Sequence, residues 1–131
     1  MTDDPYLPTV AEIIATHEEV EDVYNLKHTG TRVAAPKLKT KRIIRDADEY
    51  NDVYTRAAYL LRKLITRHVF EDGNKRTAWV TTRKFLDDHG EIPAEHGPNA
   101  EQFLKRIRRY DVEEIAEWLE TGNVDEDRLK P

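Results

Sequence analysis

The sequence predicts an all-α fold: a compact single-domain bundle of about five to six helices, with 26–46 read as a loop that could hold a short β-hairpin or a helical turn. Three observations predict it. Apolar residues recur at helical spacing over most of the chain. Residues able to cap a helix stand immediately before those stripes, Thr9 and Asp111 among them followed three places on by glutamate. No segment alternates apolar and polar residues as a half-buried strand does, and there is no internal repeat and no interdomain linker. At 131 residues the chain can bury one core without staples, so residues 1–131 are read as one domain with its core at about 6–122.

The elements follow in order. Thr9 can cap a first helix at about 9–25, with Glu12 completing a capping box and Val10, Ile13, Ile14, His17, Val20 and Tyr24 at helical spacing. "NLKHTGTRVAAPKLKTKR" has a Gly, a Pro and no sustained period, and Lys27, Arg32, Lys37, Lys39, Lys41, Arg42 and Arg45 lie in and beside it with no acid among them. Asp46 or Asp48 opens a second long helix to about His68, with Tyr50, Val53, Tyr54, Ala57, Leu60, Leu61, Leu64 and Ile65 as a wide apolar stripe. A third begins near Asn74, faces inward through Ala78, Thr81, Thr82, Phe85 and Leu86, and ends before Gly90. Asn99 can cap a fourth through Arg109, and Asp111 with Glu114 a fifth that Gly122 ends; 123–131 reads as a frayed tail.

Composition excludes several classes. Net charge is −5, which argues against nucleic acid as the default partner. With no cysteine there is neither a disulfide framework nor a thiolate zinc site. No run approaches the ~18 apolar residues of a membrane span, and "MTDDPYLPTV" lacks the basic and apolar regions of a secretory signal, so the cytoplasm is the expected location.

One stretch breaks a local rule. "RHVFEDGNKRTAW", Arg67 to Trp79, puts Lys75 and Arg76 in the first turn of a helix. A helix N-terminus already carries about half a positive charge, and cations there are disfavoured. Around a polyphosphate the same arrangement becomes complementary. Gly73 lets the backbone turn sharply, Asn74 can take the cap position, and the first amides point out of the helix toward an anion. Asp72 stands just before the turn, where a carboxylate beside phosphates can hold Mg²⁺. His68 ends the preceding helix, and an imidazole facing a phosphate cradle suits a general base for a hydroxyl nucleophile. Phe70 should point inward and fix the loop. Taken singly, each residue has a plain structural explanation: a glycine at a corner, a histidine at a helix C-terminus, solvated bases.

Together, "HVFEDGNKR" resembles the signature of the Fic/Doc family, whose Fic branch reads roughly HxFx[D/E]GNGR. Fixing His, Phe, an acid, Gly, Asn and Arg at set spacing has a chance probability of about 10⁻⁷ to 10⁻⁸ per start, at roughly 5% per residue type, so coincidence is a poor explanation. "YLPTVAEIIATHEEV" is similar to the opening helix of Doc ("death on curing") toxins, and "RKFLDDHG" to the end of their motif helix. The resemblance implies a helical domain that transfers part of ATP to a hydroxyl of another protein. Fic enzymes mostly transfer AMP, whereas Doc toxins transfer the γ-phosphoryl, with translation elongation factor Tu as the known class of target. It further implies His68 as general base, Asp72 as the Mg²⁺ ligand, Asn74 with the amides of 73–76 as anion hole, and Arg76 as a phosphate grip. A flap that docks the target would fall near 26–46.

Two departures from the Fic signature carry information. Lys75 stands where that branch has a glycine that lets an α-phosphate approach the backbone, and Doc toxins carry lysine there. Trp79 stands where the Fic branch often has a second arginine. Both favour the Doc type; Gly73, where Doc toxins often have alanine, is Fic-like. No threonine has a glutamate four places on and the chain has no serine, so the family's inhibitory motif [S/T]xxxE[G/N] is missing and an antitoxin is expected in trans.

The expectation is therefore a Doc-type, Mg²⁺- and ATP-dependent phosphotransferase acting as a toxin, with AMP transfer as the alternative and an inactive binding module of the same fold as a second. Other motifs carry less. There is no GxxxxGK[ST]. "HEEVE" lacks the second histidine of HExxH, so His17 reads as a partly buried or surface histidine. His89 and His96 lack paired acids for a metal, and "KRIRRY" at 105–110 reads as a solvated basic face rather than a nucleic-acid patch.

Overall fold

The computed structural model describes residues 7–24, 35–70, 73–94 and 97–123, with the side chains of 23, 24, 35, 36 and 98 excepted. They form α1 (Val10–Tyr24), α2 (Ala35–Ala47), α3 (Val53–Thr66), α4 (Asn74–Asp88), α5 (Pro98–Lys105), a 3₁₀ turn (Ile107–Arg109) and α6 (Val112–Thr121), and no sheet is found among them. The protein is an all-α bundle, as its periodicity predicts.

α3 is the axis. Tyr54, Ala57, Ala58, Tyr59, Leu60, Leu61, Leu64 and Ile65 are all buried, so the helix is covered nearly all round, as a central helix must be. α4, α6, α2 and the 3₁₀ turn pack against it, and α1 closes the bundle over α4 and α2. Phe103 of α5 stacks on Trp118 of α6 at 3.8 Å and on Tyr110 at 4.7 Å, fixing the chain that follows α5 to the core.

Two capping boxes hold as the sequence predicts. Thr9 and Glu12 exchange side-chain-to-backbone bonds of 3.1 Å, and Asp111 and Glu114 do so at 2.9 and 3.1 Å. Gly90 and Gly122 take left-handed conformations after α4 and α6.

Three expectations need correction. Residues 35–46, read as loop or hairpin, belong to α2; 26–34 lie outside the described residues. The inward positions of α2 are Thr40, Ile43, Ile44 and Ala47, a helical spacing in which only the isoleucines are strongly apolar. Pro36 ends nothing, because at the second helical residue it has no intrahelical amide bond to lose.

α3 begins at Val53 rather than near Asp46, with Asp52 as its cap, accepting from the Thr55 amide at 3.0 Å. The connector bends around the buried Arg56 guanidinium, which donates to the carbonyls of Tyr50 and Asp48. The fourth helix stops at Lys105, and a separate 3₁₀ turn follows over Ile107–Arg109.

Two phenols give the bundle a pH limit. Burial, then the bond to Glu91, pushes Tyr54 up to about 12; burial, then the Asp46 carboxylate, does the same to Tyr59. An unfolded tyrosine ionises near pH 10, so folding favours the protonated phenol. That stabilisation is fully present below about pH 10 and is lost as pH rises toward about 12. Urea midpoints should fall over this window, and Tyr54→Phe should fall less than the wild type across it.

Candidate active site

Every described residue of the motif is positioned by the junction of α3 and α4. Arg67 caps α3, its amide bonding the carbonyls of Ile65 and Lys63. His68 then adopts φ 45°, the only non-glycine residue with positive φ among the described residues. The left-handed residue after a helix is usually glycine; holding a β-carbon there costs about 1–3 kcal/mol, and such strain concentrates at functional sites. The turn leaves His68 exposed and sends Val69 and Phe70 into the core.

The loop closes through Asn74. Its Oδ1 accepts from the Phe70 amide at 3.0 Å and its Nδ2 donates to the Phe70 carbonyl at 2.8 Å. The sequence places Asn74 at the helix cap; the structure puts Gly73 there, at φ 75°, and makes Asn74 the first helical residue with its side chain turned back on the loop. A left-handed cap is what glycine supplies without strain. The Thr77 amide makes the first intrahelical bond, to Gly73 at 2.9 Å, and the amides before it are those for which a helix offers no acceptor. Lys75 and Arg76 are exposed in this first turn. Asp72, with Glu71, lies outside the described residues.

Beneath the loop is a histidine that the sequence reading takes as partly buried or surface. His17 of α1 is 0% exposed. Its ring stacks on Phe70 at 3.7 Å with the planes 6° apart, Nδ1 lies 2.9 Å from Thr77 Oγ1, and Nε2 lies 2.7 Å from Glu21. The ring is held between the Thr77 hydroxyl at Nδ1 and the Glu21 carboxylate beside Nε2. α1 thus braces both ends of the loop, Phe70 before the turn and Thr77 after it. The signal for this burial is present in the sequence: His17 falls on the apolar stripe of α1.

Around His68 the surface is basic on a chain of net charge −5. Lys39 of α2 donates to the Arg67 carbonyl at 3.4 Å, and Arg108 of the 3₁₀ turn reaches the Thr66 carbonyl at 3.4 Å and the His68 ring at 3.0 Å. Burial lowers Lys63 from the ordinary lysine value, and the neighbouring Arg67 and Arg62 add to it. Such a field favours an anionic ligand. A pocket lined in part by Ile13, Thr16, Thr81 and Phe85 lies between α1 and α4 and includes no described motif residue. Among the described residues no group of three acids or histidines could hold a metal ion, and no helix is long and apolar enough to cross a membrane.

This chain belongs to the Fic/Doc family, whose sequence model matches residues 7–86, from the start of α1 almost to the end of α4. Within that family it is similar to Toxin Doc of Mycolicibacterium smegmatis, 36% identical over 76 residues. The match covers 55% of this chain and 58% of that protein, so the likeness spans little more than half of either. No solved structure matches the chain.

Proposed function

We propose that this chain is a Doc-type toxin of a toxin–antitoxin system, which transfers the γ-phosphoryl of ATP to a hydroxyl of a target protein. The target class that the family likeness suggests is a translation elongation factor, and an antitoxin in trans is the expected restraint. The observation that carries this reading is Lys75, exposed in the first turn of α4 where the Fic signature has glycine.

In this mechanism the target hydroxyl gives its proton to His68 as its oxygen bonds the γ-phosphorus. The bond to the β–γ bridging oxygen breaks, and ADP leaves. Lys75, Arg76 and the first-turn amides of α4 hold the phosphates, so positioning and charge neutralisation supply most of the catalysis. Asn74 serves through its backbone amide and by holding the loop shut. The cationic surround and the glycine-capped helix end fit a Mg²⁺-bound polyphosphate. Asp72 would be the protein's ligand to Mg²⁺, and one carboxylate is enough because that ion takes its other oxygens from phosphate and water. When bound, Mg²⁺ neutralises phosphate charge.

Gly73 favours a second reading, AMP transfer, because it is the Fic-like residue at its position. ATP labelled at the α or the γ position, supplied to the purified chain with cell lysate, separates the two. Protein label from γ alone supports phosphoryl transfer, and label from α alone supports AMP transfer. No label from either, with His68→Ala growing as the wild type does, leaves only a binding module. Lys75→Gly removes the bulk that keeps an α-phosphate from the backbone. It is expected to lower γ-labelling about tenfold or more, since a charge-assisted phosphate contact is lost, and to admit α-labelling. Unchanged γ-labelling would show that Lys75 does not decide the reacting phosphate.

A further inference from the structure

We propose that Arg108 is a positioning residue for His68, holding the neutral imidazole in the tautomer that carries its proton on Nδ1. The inference rests on the reading of His68 as general base. Arg108 Nη2 lies 3.0 Å from His68 Nε2. A guanidinium has only donors and stays charged in proteins, so the nitrogen facing it must present a lone pair. In the neutral ring the proton is then on Nδ1. Nε2 is left as the basic nitrogen, the one a hydroxyl proton would enter.

The contact is built from a firm frame. Ile107 and Tyr110, on either side of Arg108 and Arg109, are 1% and 2% exposed. The Tyr110 carbonyl accepts from Arg62 of α3 at 2.9 Å, and its ring stacks on Phe103. Arg108 therefore projects from a turn fastened to the core toward the end of α3, where the Thr66 carbonyl gives it a second acceptor. His68 meets it from the other side, its direction set by the left-handed backbone. Two exposed side chains from positions 40 residues apart are thus brought together by buried anchors. When a target hydroxyl approaches, it replaces the guanidinium at Nε2 and finds the lone pair ready, with no proton to be moved between ring nitrogens first. Arg108 keeps the Thr66 carbonyl as its hold.

Nitrogen-15 NMR of the histidine rings in the full chain tests this, at about pH 8, where ordinary imidazoles are neutral. The wild-type His68 ring should show a protonated Nδ1 and an unprotonated Nε2. Arg108→Ala should shift population to the Nε2–H form, and Arg108→Lys, which still donates, should restore the Nδ1–H form. A wild-type proton on Nε2, or an unchanged tautomer in Arg108→Ala, overturns the proposal. In the transfer assay Arg108→Ala should lower kcat about tenfold, less than loss of the base itself, with the KM for ATP little changed and Lys restoring the rate. A raised KM with kcat intact would make Arg108 a phosphate grip instead and overturn its action through His68. A wild-type chain that transfers nothing counts against the catalytic reading of His68, while the tautomer still decides whether Arg108 controls the ring.

Discussion

Replacing His68 by alanine or glycine is expected to lower transfer about 10²- to 10⁴-fold, the usual worth of a general base. For glycine, stability should not fall with it. The side chain is exposed and its backbone is left-handed, so it contributes strain rather than packing. Glycine relieves that strain, and His68→Gly should unfold at a urea concentration equal to or above that of the wild type. This opposite movement of rate and stability is the signature of a residue kept for chemistry. If both fell together, or if the rate held, His68 would be a structural corner. Growth arrest on expression should follow the rate, being strong for the wild type and absent for both variants.

Phe70→Ala should produce the largest loss of stability in the motif, about 3–5 kcal/mol. The ring is 1% exposed and stacks on the buried His17. Removing it opens a cavity under the turn and leaves His17 without its apolar neighbour. Against a total of about 5–15 kcal/mol for an ordinary domain, that is a large fraction. Transfer should fall as well, although Phe70 touches no substrate, because His68 and the start of α4 are held to the core through this residue and through the Asn74 bonds to its backbone. Equilibrium denaturation measures the first effect, and rates taken where the variant remains folded measure the second. A cost below about 1 kcal/mol would mean that the loop keeps its shape without the ring.

The sequence was most legible where the deciding physics is local. Thr9 with Glu12 and Asp111 with Glu114 are capping boxes three residues apart, and both formed. The stripe of α3 showed itself because its inward residues are large and apolar. α2 did not, because Thr40 and Ala47 occupy half of its inward positions and five cations dominate its composition. The sequence does not show the start of α3, because the Arg56 guanidinium organises the connector through carbonyls that no residue pattern records.

In the candidate site the split is similar. The motif residues announced themselves through spacing along the chain. Arg108 had no such signal: it is one base in a basic run, and only the 3₁₀ turn after α5 brings it to His68. The spacing points to Asn74, but the direction of its side chain depends on the left-handed Gly73 before it, which reverses the chain and turns the amide group back toward Phe70.

That inward-turned amide has an evolutionary consequence. Because Asn74 spends both ends of its side chain on Phe70, the contour of the turn is written in Phe70, Gly73 and Asn74, while Lys75 projects outward and takes no part in it. Shape and ligand preference therefore reside in different codons. On the reading proposed for Lys75, a lineage could exchange one reacting phosphate for another through changes confined to position 75, while Phe70, Gly73 and Asn74 keep the turn. Two chemistries can diverge from one ancestor across such a step without either passing through a broken protein.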